Sequence, residues 1–319
     1  MDWCDLMILP SYPSPTPAMP PVEQPGAPPV SVQSLGSGSA GNAFLIQRGD
    51  LLLLLDCGVG IRMIRSALSA RNRRLDQIDA IVLTHEHIDH VRTIPQVIDA
   101  KTPVIATQGT FDRLRIADPH WRPIAASRPI EIAGVRIWAL PVDHDANEPC
   151  GYLIEMPETT ITIITDLGSW HERLAGAVAA SELVILEANH DEEMLRRGPY
   201  PPHLKRRVGS AVGHLSNRDC GMALAGIAKG GRSAPEVWLA HLSETNNRPA
   251  LAESTVRDAL ARSDLELPVS ALPRREPGPV WSPGTHDGAV PADGYRPYEE
   301  PRAVATGLRQ LGFDGIAGF

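Results

Sequence analysis

Residues 81–90 read IVLTHEHIDH, an apolar run followed by three histidines, a glutamate and an aspartate within seven positions. Of all the stretches in this chain it constrains the fold most. Ile81, Val82 and Leu83 read as the end of a buried strand, and His85 and His87 lie two apart in extended chain, so their imidazoles project to one side. Asp89 and His90 follow where the chain turns into a helix and reach a second point nearby. Nitrogen and carboxylate ligands at this density suit zinc or manganese, and they exceed the three protein ligands that one open catalytic zinc needs. The surplus points to two divalent ions. A solvated polar turn accounts for any single member, but poorly for the whole cluster.

If such a site sits at one edge of a sandwich, its remaining ligands should stand where other strands end. VRIWALPVDHD places His144 after one apolar run, TITIITDLG places Asp166 after another, and VWLAHLS places His241 after a third. A lone histidine at a strand end is more often a satisfied polar residue than a ligand. Three such residues in series behind the same kind of run are a stronger signal.

The rest of the chain fits two sheets with helices outside, an α+β architecture. Strands are expected at Val30 to Leu35, Ala43 to Gln47, Leu51 to Leu55, Ile78 to Leu83, Val104 to Thr107, Val135 to Leu140, Gly151 to Glu155, Thr160 to Ile164, Leu183 to Leu186 and Val237 to Ala240. Helices are expected at Ile61 to Ala70, His90 to Ala100, Gly109 to Arg115, Trp170 to Ala180, Asn217 to Ala228 and Ala250 to Arg262. Nine prolines among the first 30 residues mark 1–30 as a disordered arm. Residues 31–265 form the expected domain, and 266–319, again Pro-rich, read as a tail with a short helical piece at Val304 to Leu311.

With 319 residues and 43% apolar content the chain can bury a sizeable core. No run approaches a membrane span and no secretory signal is visible, so a cytoplasmic protein is expected. Its four cysteines show no paired spacing, which argues against a disulfide framework or a thiolate zinc site. A net charge of -8 argues against a broad basic face for nucleic acid, though not against a local basic track.

In order along the chain, LLLLLDCG, THEHIDH, His144, Asp166 and His241 resemble the five motifs of the metallo-β-lactamase superfamily. That resemblance implies an αββα sandwich with a dinuclear site at one edge. His85, His87 and His144 would hold the first metal, Asp89, His90 and His241 the second, with Asp166 bridging and Asp56 orienting the His-rich loop. LGSGSAGN, LEANHDEEMLRRGPYPPHLKRRV, GHLSN and AHLSETNN are together similar to the YycJ (WalJ) family of DNA 5′-exonuclease-like metallohydrolases. Asp166 and His241 lie 75 residues apart, which leaves no room for the inserted domain of β-CASP nucleases such as RNase J.

What this implies is a phosphodiesterase working from the 5′ end of DNA, with DNA favoured over RNA. Two metals can hold a hydroxide, polarise a phosphoryl oxygen and steady an in-line displacement. Asp89, His214 and Glu187 form the expected catalytic set. GHLSN resembles a motif of tRNase Z, whose matching histidine protonates the leaving group, and Glu187 would hold the His214 imidazolium. For substrate contact the expected residues are Ser37, Ser39 and Asn42 in the small-residue loop, Asn189 and His190 in LEANHD, Asn217, and Arg196, Arg197 and Lys205 in a basic track that also holds Arg206 and Arg207. A plain hairpin turn explains the glycines of that loop equally well, and charge runs are usually solvated faces. After HIDH the chain reads VRTIPQV without the family's usual glycine, and Arg92 there could narrow the groove or meet a phosphate. An ester, thioester or lactone hydrolase on the same metals is the alternative. A non-catalytic metal-binding protein is a third, disfavoured by the completeness of the ligand set.

Overall fold

Leu51–Leu55 carries no polar residue because both its faces are covered. In the computed structural model, which describes residues 28–99, 101–114, 120–228 and 234–284, Leu53 and Leu55 enter a core between two sheets while Leu52 and Leu54 enter another beneath helices. A strand with one solvated face would alternate; a continuous apolar run belongs to one packed on both sides.

The first sheet contains β1 (Val30–Gly36), β2 (Ala43–Arg48), β3 (Leu51–Leu55), β4 (Ala80–Val82), β5 (Val104–Ala106) and β6 (Trp121–Pro123). The second contains β7 (Ile130–Ile132), β8 (Val135–Pro141), β9 (Cys150–Glu155), β10 (Thr160–Ile164), β11 (Leu183–Glu187), β12 (Glu236–Ala240) and β13 (Val269–Ala271). β14 (Val280–Trp281) returns to the outer edge of β1. The orders are β14-β1-β2-β3-β4-β5-β6 and β13-β12-β11-β10-β9-β8-β7. Each sheet is antiparallel on one side and parallel on the other, with the change at β3 and at β10.

Outside the first sheet lie α1 (Ile61–Ser69), α2 (Ile88–Val91), α3 (Ile94–Val97) and α4 (Gln108–Arg113). Of the later helices, α5 (Ala175–Ala179), α6 (Glu192–Arg197), α7 (Pro202–Val208), α8 (Asn217–Ala228) and α9 (Pro249–Ala261), the fifth, eighth and ninth contribute to the core outside the second sheet. Three apolar layers thus separate four layers of structure, the αββα sandwich of the α+β class. Among the described residues no helix is long and apolar enough to cross a membrane.

Several expectations change. The helix expected over His90 to Ala100 is two short ones, because Thr93 leaves the helical region (φ -102, ψ 6) and Pro95 starts the second without an N–H to donate; residue 100 lies outside the described residues. Trp170 to Ala180 begins as a 3-10 turn at Glu172–Leu174. The sixth and seventh helices were not legible, since LEANHDEEMLRRGPYPPHLKRRV has too few apolar residues for a periodic face. Asp191 caps one by accepting from Met194 N, and Pro202 opens the other. A boundary at 266 falls inside the paired structure, with Val269 opposite Val237 and Trp281 opposite Val32. The arm over 1–27, His286 and the helical piece at Val304 to Leu311 lie outside the described residues.

Candidate metal centre

Asp56, the His-rich loop, His144, Asp166 and His241 each follow the C-terminal end of a strand, and Glu187 ends one. β3 and β4 run parallel with Leu55 opposite Val82, so Asp56 and Thr84 leave the sheet side by side. Asp56 is fully buried and accepts from Thr84 N (2.9 Å), from the Thr84 hydroxyl (3.0 Å) and from His90 Nδ1 (2.7 Å). This bond orients the His90 ring and leaves Nε2 facing Asp166 Oδ2 at 3.1 Å and Asn42 Nδ2 at 3.1 Å. Asp56, Asp166 and His241 all have left-handed backbone (φ 56, 55 and 53), a conformation that costs a non-glycine residue roughly 1–2 kcal/mol. Three such residues at adjoining strand ends are strain gathered at one place, as at functional sites.

Close backbone approach holds the His-rich loop against the strand that precedes it. Asn42 N donates to Asp89 O (2.8 Å) and Cys57 N to His90 O (2.7 Å). A Cβ added to Gly58 would stand 1.6 Å from Asp89 O. Gly58→Ala is therefore expected to lower stability by roughly 1–3 kcal/mol or more, measured by denaturant unfolding.

Two groups of ligand atoms result. Those of His85, His87 and His144 all lie within 4.8 Å of one another, as do those of Asp89, His90 and His241; a third group of His85, His90 and Asp166 joins the two, and a fourth gathers Asp166, Glu187, His214 and His241. The imidazoles of His85, His144 and His241 are anchored from behind, as that of His90 is by Asp56. His144 Nδ1 donates to Gly213 O (2.9 Å), His241 Nδ1 to Glu187 Oε1 (2.8 Å), and His85 Nδ1 lies 3.1 Å from the Thr84 hydroxyl. Such partners set the tautomer and aim the other nitrogen. His85 Nε2, His241 Nε2 and Asp166 Oδ2 are buried without a hydrogen bond. Each is a lone pair or charge whose isolation would cost about 1–3 kcal/mol or more, and nitrogen and carboxylate donors facing one another suit divalent cations. The residues fit divalent metal binding.

Glu187 closes one side of the centre. Its Oε1 accepts from His214 Nδ1 and His241 Nδ1, both at 2.8 Å, and its Oε2 from Leu167 N (2.9 Å) and Leu215 N (3.1 Å). Burial would raise its pKa, but His214 and His241 outweigh that and hold the carboxyl down at about 2. Burial depresses His214, and the Glu187 charge more than compensates, leaving the imidazole above its ordinary value. His214 is 18% exposed where His241 is 2% exposed, so His214 is the member of the pair that can be reached from outside.

The structure brings together His85, His87, Asp89, His90, His144, Asp166, His214, Glu187 and His241. It separates most of the expected substrate residues from that face. Ser37 and Asn42 are wholly buried: the Ser37 hydroxyl accepts from His241 N (2.9 Å) and donates to Asn42 Oδ1 (3.2 Å). Asn189 donates to His241 O (2.8 Å), and Asn217 pairs with Asn247. These three asparagines and the serine brace the loops of the centre. His190 is 4% exposed, bridged to Ser216 through its backbone, while Ser39 is exposed at the rim. The basic track is partly neutralised: Arg196 and Arg197 both pair with Glu193 and Arg207 pairs with Asp145 (2.6 Å), while Lys205 Nζ donates to Arg196 O (2.7 Å) and keeps its charge. Arg206 is exposed and makes no ion pair among the described residues. Arg92, exposed, donates to Ala40 O (2.8 Å) and so pins the small-residue loop. Glu86 belongs to none of the ligand groups and accepts from Asn147 N (2.8 Å).

Two further residues belong here that the motifs did not single out. Thr84 links Asp56, His85 and His90, and its place as the first residue of THEHIDH was the available signal. Asp145 lies 3.3 Å from His144 Nε2 and carries Arg207; adjacency to a ligand was its only mark.

Residues 52–241 match the model of the beta-lactamase superfamily domain. Exodeoxyribonuclease WalJ of Streptococcus pneumoniae strain D39 is 34% identical over 244 residues, covering 74% of this chain and 90% of the relative. Exodeoxyribonuclease YycJ of Bacillus anthracis is 30% identical over 233 residues, covering 71% and 87%. In fold, the chain resembles the metallo-β-lactamase fold protein YhfI from Bacillus subtilis, with a TM-score of 0.61 at 20% identity over 80% of this chain and 99% of that one. Sandwich, ordered motifs and relatives agree: the chain belongs to the beta-lactamase superfamily, as a WalJ/YycJ-like metal-dependent hydrolase.

Proposed function

We propose that this protein is a nuclease that cleaves DNA phosphodiesters from the 5′ end, with two divalent ions, zinc or manganese, and that DNA is preferred to RNA. His85, His87 and His144 would hold one ion and Asp89, His90 and His241 the other, with Asp166 shared between them. Bound there, such ions supply Lewis-acid polarisation of the phosphoryl group and lower the pKa of water.

The observation that carries the reading is the carboxylate of Glu187, shared at 2.8 Å between the expected ligand His241 and the accessible His214. Glu187 holds the Nδ1 proton of His214 at 2.8 Å and favours the charged imidazole, which leaves the proton on the other ring nitrogen, Nε2, as the one to be given up. A proton at that point serves a reaction with a basic leaving group, such as a sugar oxygen. Asp89 completes the catalytic set at the mouth, half-buried beside His241 Nε2 (3.5 Å). The names of the two bacterial relatives, both exodeoxyribonucleases, support the same class.

An ester, thioester or lactone hydrolase is the second reading, and the partial neutralisation of the basic segment favours it. Purified protein should be tested on 5′-labelled and 3′-labelled single- and double-stranded DNA and RNA, beside bis-p-nitrophenyl phosphate and a lactone. The expected result is release of labelled mononucleotide or short product from 5′-labelled DNA, abolished by a chelator and restored by zinc or manganese. Lactone turnover without phosphodiester cleavage would reverse the order of the two readings.

A further inference from the structure

Residues 272–278 lie beyond the match to the family model and carry none of the motifs, yet they form the back of the metal centre. Leu272 N donates to Leu239 O (2.9 Å), Ser37 N to Pro273 O (3.1 Å) and Gly278 N to Ser34 O (2.8 Å). Between these anchors Arg274 lays its guanidinium on the loop that follows His241. Its Nε donates to Leu242 O (2.9 Å), and its Nη2 to Ser243 O (2.8 Å) and Asn247 O (3.0 Å). The aliphatic stem passes under the small-residue loop, where a Cβ on Gly38 would be 3.5 Å from both Arg274 Cβ and Cγ. Glu244, the acid of this loop, is engaged in a two-pronged pair with Arg275, so Arg274 is committed to carbonyls.

We infer that Arg274 is a positioning residue for the Asp89, His90 and His241 half of the metal centre. This rests on the two-ion reading above. Both loops it joins touch that half: His241 N donates to the Ser37 hydroxyl, Asn42 meets His90 Nε2, and Leu242 and Ser243 directly follow His241. His241 itself sits in left-handed backbone, and the carbonyls of Leu242, Ser243 and Asn247 after it converge on one guanidinium. A planar guanidinium with donors in a fixed fork satisfies three of them at once, which a lysine ammonium cannot do in the same plane. No contact of Arg274 reaches His85, His87 or His144 among the bonds described, so its loss acts on one ion and spares the other.

The test is zinc binding by the purified full chain, with Arg274→Ala and Arg274→Lys beside wild type, read by competition with a chromophoric chelator and by metal content after dialysis. Wild type is expected to bind two ions. Arg274→Ala is expected to keep one at wild-type affinity and to bind the second roughly 10- to 100-fold more weakly, the usual loss when a group behind a ligand is removed. Millimolar guanidinium should restore the second ion, and Arg274→Lys should fall between. Circular dichroism reports folding; if the alanine variant does not fold, the lysine variant decides, and wild-type binding of both ions by it overturns the inference. So does a folded alanine variant that binds both ions normally, loses both equally, or is indifferent to guanidinium. Fewer than two ions on wild type overturns the two-ion reading and this inference with it, whereas two ions on wild type with any of the former results leaves that reading standing.

Discussion

His214→Ala is expected to slow DNA cleavage by roughly 10²- to 10⁴-fold while leaving hydrolysis of bis-p-nitrophenyl phosphate within about tenfold of wild type. The difference lies in the leaving group. A sugar alkoxide is strongly basic and departs only as it receives a proton, whereas p-nitrophenolate departs as an anion. His214 can give that proton because Glu187, at 2.8 Å, stabilises the charged imidazole against its burial. Steady-state rates on both substrates at fixed metal concentration make the comparison. Equal losses on the two would assign His214 a structural part, and an undiminished rate on DNA would remove it from the reaction. Glu187→Gln removes both the charge that supports His214 and an acceptor behind His241, so it should slow both substrates, with DNA slowed more.

Asp166→Ala is expected to lower phosphodiester cleavage by about 10³-fold or more and to reduce bound metal at both halves of the centre together. Asp166 stands in the group that joins His85 to His90, and its carboxyl lies 3.1 Å from His90 Nε2 and 3.3 Å from His241 Nδ1. It is 2% exposed, and the surrounding imidazoles hold it well below the usual carboxylate range even though burial opposes this. In the proposed arrangement a buried anion shared by two cation sites cannot be replaced by water in a closed space without weakening both, and Lewis-acid stabilisation of a transition state is worth several kcal/mol, each 1.36 kcal/mol being tenfold in rate. Metal content by mass spectrometry together with the cleavage rate checks this. Full occupancy with full activity would show that Asp166 bridges nothing. Loss of one ion alone would place it in one half.

The contrast between these two variants and Arg274→Ala separates three roles. On the proposed reading, one removes a proton donor, one removes the shared anion and one lets a loop relax.

Much of the centre was legible because its chemistry follows simple local rules. Strands buried on both faces announce themselves as unbroken apolar runs, and a polar residue directly after such a run must emerge at a sheet edge. That is how Asp56, His85, His144, Asp166 and His241 could be placed without coordinates. The two-residue period of extended chain put His85 and His87 on one side, and the structure keeps the ligand atoms of His85, His87 and His144 within 4.8 Å. Helices with an apolar period, such as Ile61–Ser69 and Asn217–Ala228, were found nearly to the residue. The two helices in the charged segment were not, since their formation depends on a cap at Asp191 and a proline start at Pro202 more than on an apolar face.

Residue chemistry at each strand end was thus legible in the sequence, along with two sheets with helices outside, which the family resemblance sharpened to an αββα sandwich. Tertiary structure alone decided which polar residues face outward. Ser37, Asn42, Asn189 and Asn217 have the composition of a binding loop, but their partners lie far along the chain: His241 is 204 positions from Ser37 and 52 from Asn189. Arg207 looked free to meet phosphate until Asp145, 62 positions away, appeared beside it, whereas Arg196 and Arg197 pair with Glu193 within their own helix. Arg274 gave no local sign, because a guanidinium bound to three carbonyls about 30 residues away obeys no periodicity. Short-range patterns encode which face of an element is buried; the pairing of polar groups within the core depends on chain segments that only folding brings together.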